Sequence, residues 1–324
     1  MVWNFCNDLS QRAISERRLW LTAYDLQKYT TGLTECDGIK LAATTVQQVC
    51  AEYALRRNQF NKKKLRWRTS DRNSSSYSLG WVPFKKGAVA YKNGQIHIKG
   101  YHFNFWDSYG LAGYELRAGS FSEDARGRWY FNVQVEVDVL PSNGTDVIGI
   151  DLGVKTAAVG SDGSQLESRW YRHHEEKLAK AQRKKKKPRT RAIHAKIANK
   201  RKDALHKFST AKVSQARAIF VGNVKSLALV KTPMAKSVLD AGWGMFKRML
   251  EYKCTGASVR FKVINESYTT QTCSTCGIIP PSSPKGKAGL KIRRWKCCSC
   301  GSVHDRDINA ARNIAKRGHA LLGL

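Results

Sequence analysis

Two pairs of closely spaced cysteines constrain this chain more than any other feature of its sequence. Cys273 and Cys276 form one C-x2-C motif, and Cys297 and Cys300 form a second motif after 20 intervening residues. Each motif can turn two thiolates toward the same side of a tight loop, and a glycine follows each pair. This spacing is typical of a four-thiolate zinc ribbon. The sequence therefore predicts a structural zinc site, with Cys298 outside it or, in a shifted register, inside it.

The charge of the chain indicates its partners. Its 57 Lys and Arg outnumber 25 Asp and Glu, which leaves a net charge of +32, while 42% of the residues are hydrophobic. A chain this apolar is not a disordered basic tail, and its length suits about two domains. Nucleic acid is the first candidate for a polyanion that balances the charge. An anionic membrane is the weaker candidate, because no run of 18 apolar residues is present, and we expect no membrane partner.

The cysteines and the first residues indicate a compartment. Five of the nine cysteines lie within 28 residues, a clustering that points to metal rather than disulfides in a reducing environment. The first residues carry no basic segment followed by an apolar core and a cleavage site. We therefore expect a cytoplasmic, nucleoid-associated protein.

A long basic stretch predicts contact with phosphates. Between Lys177 and Arg217, 16 Lys and Arg accompany a single acid, Asp203, a balance of +15 over 41 residues. Pro188 divides the stretch, and the Ala, Lys and Arg on both sides predict two basic helices. A solvated helix face is the weaker alternative, because the opposite charges that support such a face are missing. The candidate nucleic-acid contacts are Lys184, Lys185, Lys186, Lys187, Arg189, Arg191, Lys200, Arg201 and Lys202.

The N-terminal half predicts two modules. From Asp8 to about Arg57, apolar side chains fall at mostly helical spacing, which predicts two or three helices. From Leu79 to Leu140 the pattern changes to short alternating runs, and Asn93-Gly94 between two of them predicts a hairpin in a small β-module that resembles a barrel. The basic segment 61–72 includes Trp67, a mixture that can contact phosphates and stack on a base. A solvated linker is an equal alternative for that segment.

Two acidic positions stand out in a chain that otherwise avoids acids. A predicted buried strand ends at Asp151, and Asp307 opens the sequence Asp-Ile-Asn-Ala-Ala-Arg-Asn-Ile after the second cysteine motif. Cleavage of a phosphodiester by two magnesium ions needs three or four carboxylates from different elements. These two acids alone prove little, because an aspartate at a strand end is more often a cap or a turn former.

Taken in order, these motifs resemble the TnpB family, the RNA-guided, RuvC-type nucleases of insertion sequences that are related to type V CRISPR effectors and Fanzor proteins. The resemblance rests on Asp151 and Gly153, the basic helices, residues 268–277, the second cysteine motif and the helix near Asp307. It covers the C-terminal half from about Asp146 and is looser in the N-terminal half.

The resemblance implies a RuvC centre in which three acids hold two magnesium ions. Asp151 and Asp307 match the first and last acids of the family, but residues 218–224, where its middle glutamate usually stands, contain no acid. Some family members keep a relocated glutamate at the end of the next strand, and Glu266 holds that position. Adjacent strands lie about 4.8 Å apart, so this carboxylate can reach the same ions. We predict Asp151, Glu266 and Asp307 as catalytic magnesium ligands; the alternative is a dead site with Glu266 facing solvent.

The combined interpretation is a multidomain α+β protein that contains an RNase H-like (RuvC) α/β domain with a zinc-ribbon insertion. A helical recognition lobe and a β-barrel-like wedge module precede that domain. The predicted limits are 1–64 for the recognition lobe, 65–145 for the wedge module, 146–272 for the RuvC-like domain with its basic hairpin at 177–217, 273–300 for the zinc ribbon and 301–324 for the C-terminal helix.

The predicted function is RNA-guided DNA cleavage beside a short duplex motif. Its cofactors are structural zinc, catalytic magnesium and a guide RNA, and its partners are that guide RNA and a target DNA. We expect a monomer or a homodimer on one RNA. The alternatives are a nuclease-dead guided repressor, a transposase that acts without RNA, and a basic zinc-ribbon scaffold.

Overall fold

A computed structural model of the chain describes residues 1–36, 38–74, 76–224, 226–289 and 291–323. The chain divides into two compact units, Met1–Val137 and Asp138–Leu324. The boundary between the units falls inside the predicted wedge module. The five-part division of the chain stays a prediction.

The first unit begins with the predicted helical region, and its three helices confirm the expected two or three. A 3-10 turn at Thr31–Thr34 and a short ribbon separate the second helix from the third. The elements are α1 (Val2–Arg17), α2 (Ala23–Tyr29), β1 (Glu35–Cys36), β2 (Ile39–Lys40) and α3 (Ala43–Phe60). Their core includes Trp3, Leu26, Val46 and Tyr53, and the Trp3 and Tyr53 rings meet edge to face at 5.3 Å.

The rest of the first unit is a β-module of two three-stranded antiparallel sheets, in the orders β3-β7-β8 and β4-β5-β6. The strands are β3 (Trp81–Phe84), β4 (Ala90–Lys92), β5 (Gln95–Ile98), β6 (Tyr101–Asn104), β7 (Leu116–Glu123) and β8 (Trp129–Val135). The predicted hairpin is confirmed between β4 and β5, where Asn93 and Gly94 have φ angles of 51° and 76°. Both sheets contribute to one core around Phe84 and Ile96. Closure into a barrel stays a prediction.

The second unit is built on a five-stranded mixed sheet with the order β11-β10-β9-β12-β13. The first three neighbours in this order pair antiparallel, and the pairs β9-β12 and β12-β13 are parallel. Its strands are β9 (Asp146–Asp151), β10 (Thr156–Gly160), β11 (Gln165–Glu167), β12 (Ala216–Gly222) and β13 (Arg260–Ile264). The remaining elements are α4 (Glu175–Arg183), α5 (Lys187–Gln215), α6 (Ser226–Leu229), α7 (Ala235–Ala241), α8 (Trp243–Gly256), α9 (Gly286–Gly289), β14 (Arg294–Lys296), β15 (Val303–Asp305) and α10 (Arg306–Leu322).

Both faces of the sheet are covered, which explains why β12 is an almost continuous apolar run. Ile219 and Val221 join the larger core with α5 and α8, whereas Ala218 and Phe220 join the smaller core with Ile314 of α10. The two basic helices predicted around Pro188 are confirmed as α4 and α5. In the part of the chain that the structure describes, no helix combines the length and hydropathy needed to cross a bilayer.

Glycines allow α10 to lie close to the central strands. A Cβ atom on Gly149 of β9 would overlap with the backbone of α10 at Ala311 and Ala315. A Cβ atom on Gly318 of α10 would overlap with the ring of Phe220 on β12. The close packing fixes the first turn of α10, which carries Asp307, relative to the end of β9.

Candidate functional site

The three predicted acids come from three different elements and line one cavity of about 520 Å³. Asp151 is the last residue of β9. Glu266 follows β13, which pairs with β12 in parallel and matches Ile264 to Gly222. Asp307 lies in the first turn of α10, where the Asp305 side chain accepts hydrogen bonds from the backbone N–H groups of Asp307 and Ile308, both at 3.0 Å. The strand neighbour predicted for Glu266 is therefore confirmed.

The acids influence one another electrostatically. Burial raises the pKa of Asp151 well above its ordinary value, and the negative charges of Asp307 and Glu266 raise it further, against the opposing charge of Arg306. Burial also raises the pKa of Glu266, while the Lys247 ammonium and a backbone hydrogen bond from Val224 lower it. Such crowding of carboxylates disfavours full ionisation unless a cation joins them.

Glu266 occupies the space beside a glycine. Its Oε2 atom is buried and has no hydrogen-bond partner among the residues that the structure describes, although its backbone N–H donates to Oδ1 of Asn223 at 3.2 Å. A Cβ atom on Gly222 would overlap with this Oε2 and would lie 3.3 Å from Cδ1 of Ile314. Residues 218–224 contain no acid, and their glycine, Gly222, leaves the space that the Glu266 carboxylate occupies.

Two arginines hold the carboxylate of Asp307. Arg293 Nη1 donates to Oδ2 at 2.6 Å, and Arg306 donates to Oδ1 through Nε at 3.0 Å and Nη2 at 2.8 Å. Arg293 precedes β14 of the cysteine-rich segment, so this ion pair joins that segment to α10. The three acids are less tightly clustered than the thiols. Within the described ranges, only the four cysteines place three or more metal-ligating atoms within 4.8 Å of one another.

Two buried asparagines of α10 hold the loop that follows Glu266. The side-chain amide of Asn309 donates to the carbonyls of Thr269 and Thr272 at 3.2 and 2.7 Å, and that of Asn313 donates to the same carbonyls at 2.8 and 2.7 Å. Asn309 Oδ1 also accepts from the backbone N–H of Ser274 at 2.8 Å. The helix that carries Asp307 therefore fixes the connection between Glu266 and the first cysteine motif.

The four predicted thiols converge. The Sγ atoms of Cys273 and Cys300 are 3.6 Å apart, and those of Cys276 and Cys297 are 3.8 Å apart. Four sulfurs at about 2.3 Å from a tetrahedral zinc ion would be about 3.8 Å from one another, so the donor set fits zinc. Cys298 is exposed and stays outside the group, as predicted.

The turns around the thiols have the expected geometry. Gly277 and Gly301 have φ angles of 78° and 75°, and their N–H groups donate to the carbonyls of Cys273 and Cys297 at 2.9 and 2.8 Å. His304, which is buried, lies with Nε2 at 3.0 Å from Sγ of Cys273 and packs against Trp295.

The predicted phosphate contacts lie in the turn between α4 and α5 and along α5. Lys184–Lys187 occupy the turn and the start of α5, and Arg189, Arg191, Lys200 and Lys202 are exposed on α5. Arg201 differs, because its guanidinium lies 3.4 Å from the carboxylate of buried Asp240 and its side chain is only 21% exposed. Eight of the nine candidates therefore face solvent, and Arg201 contributes to packing against α7.

Sequence reasoning did not identify five residues that contribute to the site. The contact between Gly222 and Glu266 depends on strand register, which a single sequence does not reveal. Arg293 pairs with Asp307 from 14 residues away in the chain, whereas Arg306 directly precedes Asp307. Only the asparagines left a usable signal, since Asn309 and Asn313 are four residues apart and so share one helix face.

Comparison with known proteins shows which proteins the chain resembles. Residues 243–314 match the family model described as the Cas12f1-like TNB domain. A candidate RNA-guided DNA endonuclease from Streptomyces pristinaespiralis is 29% identical, over 93% of this chain and 76% of its own length. The chain is thus similar to a candidate RNA-guided DNA endonuclease over most of its length and to the Cas12f1-like family over residues 243–314.

Two further relatives match smaller parts of the chain. InsQ of Escherichia coli strain K12, also described as a candidate RNA-guided DNA endonuclease, is 30% identical over 60% of this chain and 55% of its own length. The CRISPR-associated endodeoxyribonuclease Cas12f1 of Sulfoacidibacillus thermotolerans is 26% identical over 60% of this chain and 51% of its own length. The chain thus spans about three quarters of the first relative and about half of the other two.

Proposed function

We propose that this protein is an RNA-guided DNA endonuclease with a two-metal RuvC-type centre. The observation that carries the proposal is the cavity in which Asp151, Glu266 and Asp307 meet from three elements. Relatives described as candidate RNA-guided DNA endonucleases, and a Cas12f1 described as an endodeoxyribonuclease, support the choice of reaction. The mixed sheet with Asp151 at the end of a central strand supports an RNase H-like domain.

The acids fit a magnesium centre on the chemistry of their surroundings. The buried Oε2 of Glu266 lacks a hydrogen-bond partner within the described ranges, and Asp151 lies near two other negative charges. Hard divalent cations prefer carboxylate oxygens, and a cation here would satisfy both features. When bound, two such ions supply an activated water and stabilise the leaving 3′-oxygen.

The chain's own residues then have distinct roles. Asp151, Glu266 and Asp307 would hold the ions, and Asn309 and Asn313 would keep the Glu266 loop in register with α10. For Asp307 to coordinate an ion, its carboxylate has to leave Arg293 or Arg306 at least partly, which frees a guanidinium beside the cavity for a phosphate.

The four-cysteine group would hold one structural zinc ion. Such a site has closed coordination, so its role is to fix the segment that carries Arg293 rather than to cleave DNA. His304 would donate from Nε2 to the Cys273 thiolate, and a second hydrogen-bonding layer of this kind orients metal ligands.

Guide RNA and target DNA are the proposed partners. The exposed lysines and arginines of the α4–α5 turn and of α5 would contact phosphates of the guide or of its heteroduplex, without reading sequence. We also propose that the first unit comprises a helical recognition lobe and a wedge module. We further propose that one or two copies bind one RNA and that the protein associates with the nucleoid.

The test is cleavage of a plasmid library with randomised flanks by the protein co-expressed with the RNA encoded downstream of it. Magnesium-dependent cutting beside one flank motif by the wild type, lost in Asp151→Ala, is the expected result. RNA-dependent binding to one target without cutting would instead identify a guided repressor whose centre is dead. Cutting that persists in a preparation freed of RNA would contradict the guided mechanism.

A further inference from the structure

The first unit contains a groove of about 370 Å³ that is far in sequence from the candidate active site. Three aromatic rings and three guanidinium groups dominate its lining. These residues are Trp3, Phe60, Trp67, Arg56, Arg66 and Arg68. Aromatic faces interleaved with cations are the composition of surfaces that bind single-stranded nucleic acid.

The groove is built on a fixed platform. Asn7 of α1 donates to the carbonyl of Leu65 at 2.8 Å and accepts from its N–H at 3.0 Å. Asn4, one turn earlier, donates to the carbonyl of Arg68 at 2.7 Å and accepts from its N–H at 2.8 Å. Two side-chain amides therefore hold residues 65–68 along α1 as a neighbouring strand would, although no described strand pairs with this segment.

The rings of the groove differ in what they contact. Trp3 is buried, its Nε1 donates to the carbonyl of Arg66 at 3.2 Å, and the Arg68 guanidinium lies 3.9 Å from its ring centroid. Trp67 and Phe60 are 41% and 56% exposed. The Lys64 ammonium lies 5.6 Å from the Trp67 ring. Two rings are thus presented to solvent beside positive charge, which packing of the core does not require.

We propose that this groove binds an unpaired nucleotide of a single-stranded nucleic acid, with the base stacked on Trp67 and the flanking phosphates against the arginines. Residues 61–72 carry six Lys and Arg and one acid, so the local charge favours a polyanion over an apolar peptide. The exposed flat rings favour a base over a phosphate alone. The inference rests on the proposed function only in its choice of nucleic acid as the partner.

RNA and DNA share the chemistry that this groove would recognise, because every base has an aromatic face. The experiment therefore tests both RNA and DNA. Short single-stranded RNA and DNA with one 5-iodouracil are bound in separate samples to the full-length protein, purified free of nucleic acid, in EDTA-free buffer without divalent cations. Photocrosslinked peptides are mapped by mass spectrometry, and affinities are measured by fluorescence anisotropy at one fixed salt concentration.

The expected crosslink is on Trp67 or Phe60. Trp67→Ala should remove the Trp67 crosslink and weaken binding about tenfold, as expected for the loss of one stacked base. Trp67→Phe should retain most of the affinity, because a smaller ring still stacks. Trp106→Ala is the matched control, since Trp106 belongs to the same unit, is 88% exposed and lies outside the groove.

A crosslink with RNA alone would identify the guide as the source of the nucleotide, and one with DNA alone would identify a DNA strand. Equal crosslinks would support the shared chemistry. Crosslinks elsewhere, together with Trp67→Ala binding as tightly as Trp106→Ala, would overturn the proposal. Because no magnesium or guide is present, this result is independent of whether the protein cleaves DNA.

Discussion

The four thiols and the three acids of the second unit are two metal-ligating groups organised in opposite ways. The thiols lie within 4.8 Å of one another, at separations that already suit a tetrahedral ion. The acids line a cavity of about 520 Å³, and both oxygens of Asp307 are engaged by arginines. Neutral thiols can approach one another without an ion, whereas carboxylates repel and need countercharge. The comparison indicates that the thiols stabilise the fold around them, whereas the acid side chains can still move when a cation binds.

The largest effect should follow loss of a thiol. Cys297→Ser should remove the bound zinc and unfold the segment around β14 and β15, because a structural zinc contributes about 10 kcal/mol or more to the folding of small zinc domains. Hydrogen exchange should show protection lost there and retained in β9 and β12. Zinc content is measured on the same sample.

The neighbouring thiol gives the matched control for that experiment. Cys298 is exposed and outside the group, so Cys298→Ser should keep one zinc per chain and normal protection. Loss of zinc in Cys298→Ser, with zinc retained in Cys297→Ser, would show that the ligand register is shifted.

A methyl group beside Glu266 should disturb the acids without altering their number. Gly222→Ala places a Cβ atom against Oε2 of Glu266, and the displaced carboxylate should lower guided cleavage by about 10- to 100-fold. Gly244→Ala, where a Cβ atom meets nothing within 4 Å, should cleave like the wild type. Circular dichroism checks that both variants fold. Cleavage at the wild-type rate by Gly222→Ala would show that the reaction does not depend on the position of the Glu266 carboxylate.

Asp151 should make the metal-free protein less stable as the pH rises. Because its pKa in the folded chain is raised, the folded state binds the proton more tightly than the unfolded state. That contribution is present at low pH and is lost as the pH rises through the raised pKa. Asp151→Asn should therefore raise the melting temperature at neutral pH by about 2–4 °C, and magnesium should stabilise the wild type more than the variant. Calorimetry across pH measures this; a lower melting temperature for Asp151→Asn would contradict it.

The smallest effect concerns the ion pair that competes with a metal. Arg293 is 45% exposed, so its interaction with Asp307 is weak. Arg293→Ala should strengthen Mn²⁺ binding to the nucleic-acid-free protein by about twofold to fivefold, measured by isothermal titration. Arg294→Ala, at the next position along the chain, is the control. Weaker binding in Arg293→Ala alone would show that the arginine supports the ion rather than competing with it.

Much of the fold could be predicted because its signals are local. The cysteine spacing identified the thiol group, Asn93-Gly94 identified a hairpin, and Pro188 marked the start of a long basic helix. Each signal operates over a few residues, through turn geometry or a fixed backbone angle. The division of the chain at Val137 had no such signal, since the boundary depends on long-range contacts.

The site could be predicted only in its acids. Glu266 was predicted from the resemblance to the TnpB family, and the parallel pairing of Ile264 with Gly222 confirms only that it follows a neighbouring strand. That Gly222 makes room for its carboxylate follows from packing across two strands. The contact of the two arginines with Asp307 could not be predicted, because in a chain of net charge +32 no single arginine stands out.

The most direct test of the central claim is guided cleavage by Glu266→Gln, measured beside target binding by the same variant. The substitution keeps the shape of the side chain and removes the charge that would hold an ion. The account predicts cleavage reduced by at least about a hundredfold, with target binding unchanged within about twofold. Cleavage at the wild-type rate would contradict it and would leave the centre without its third acid.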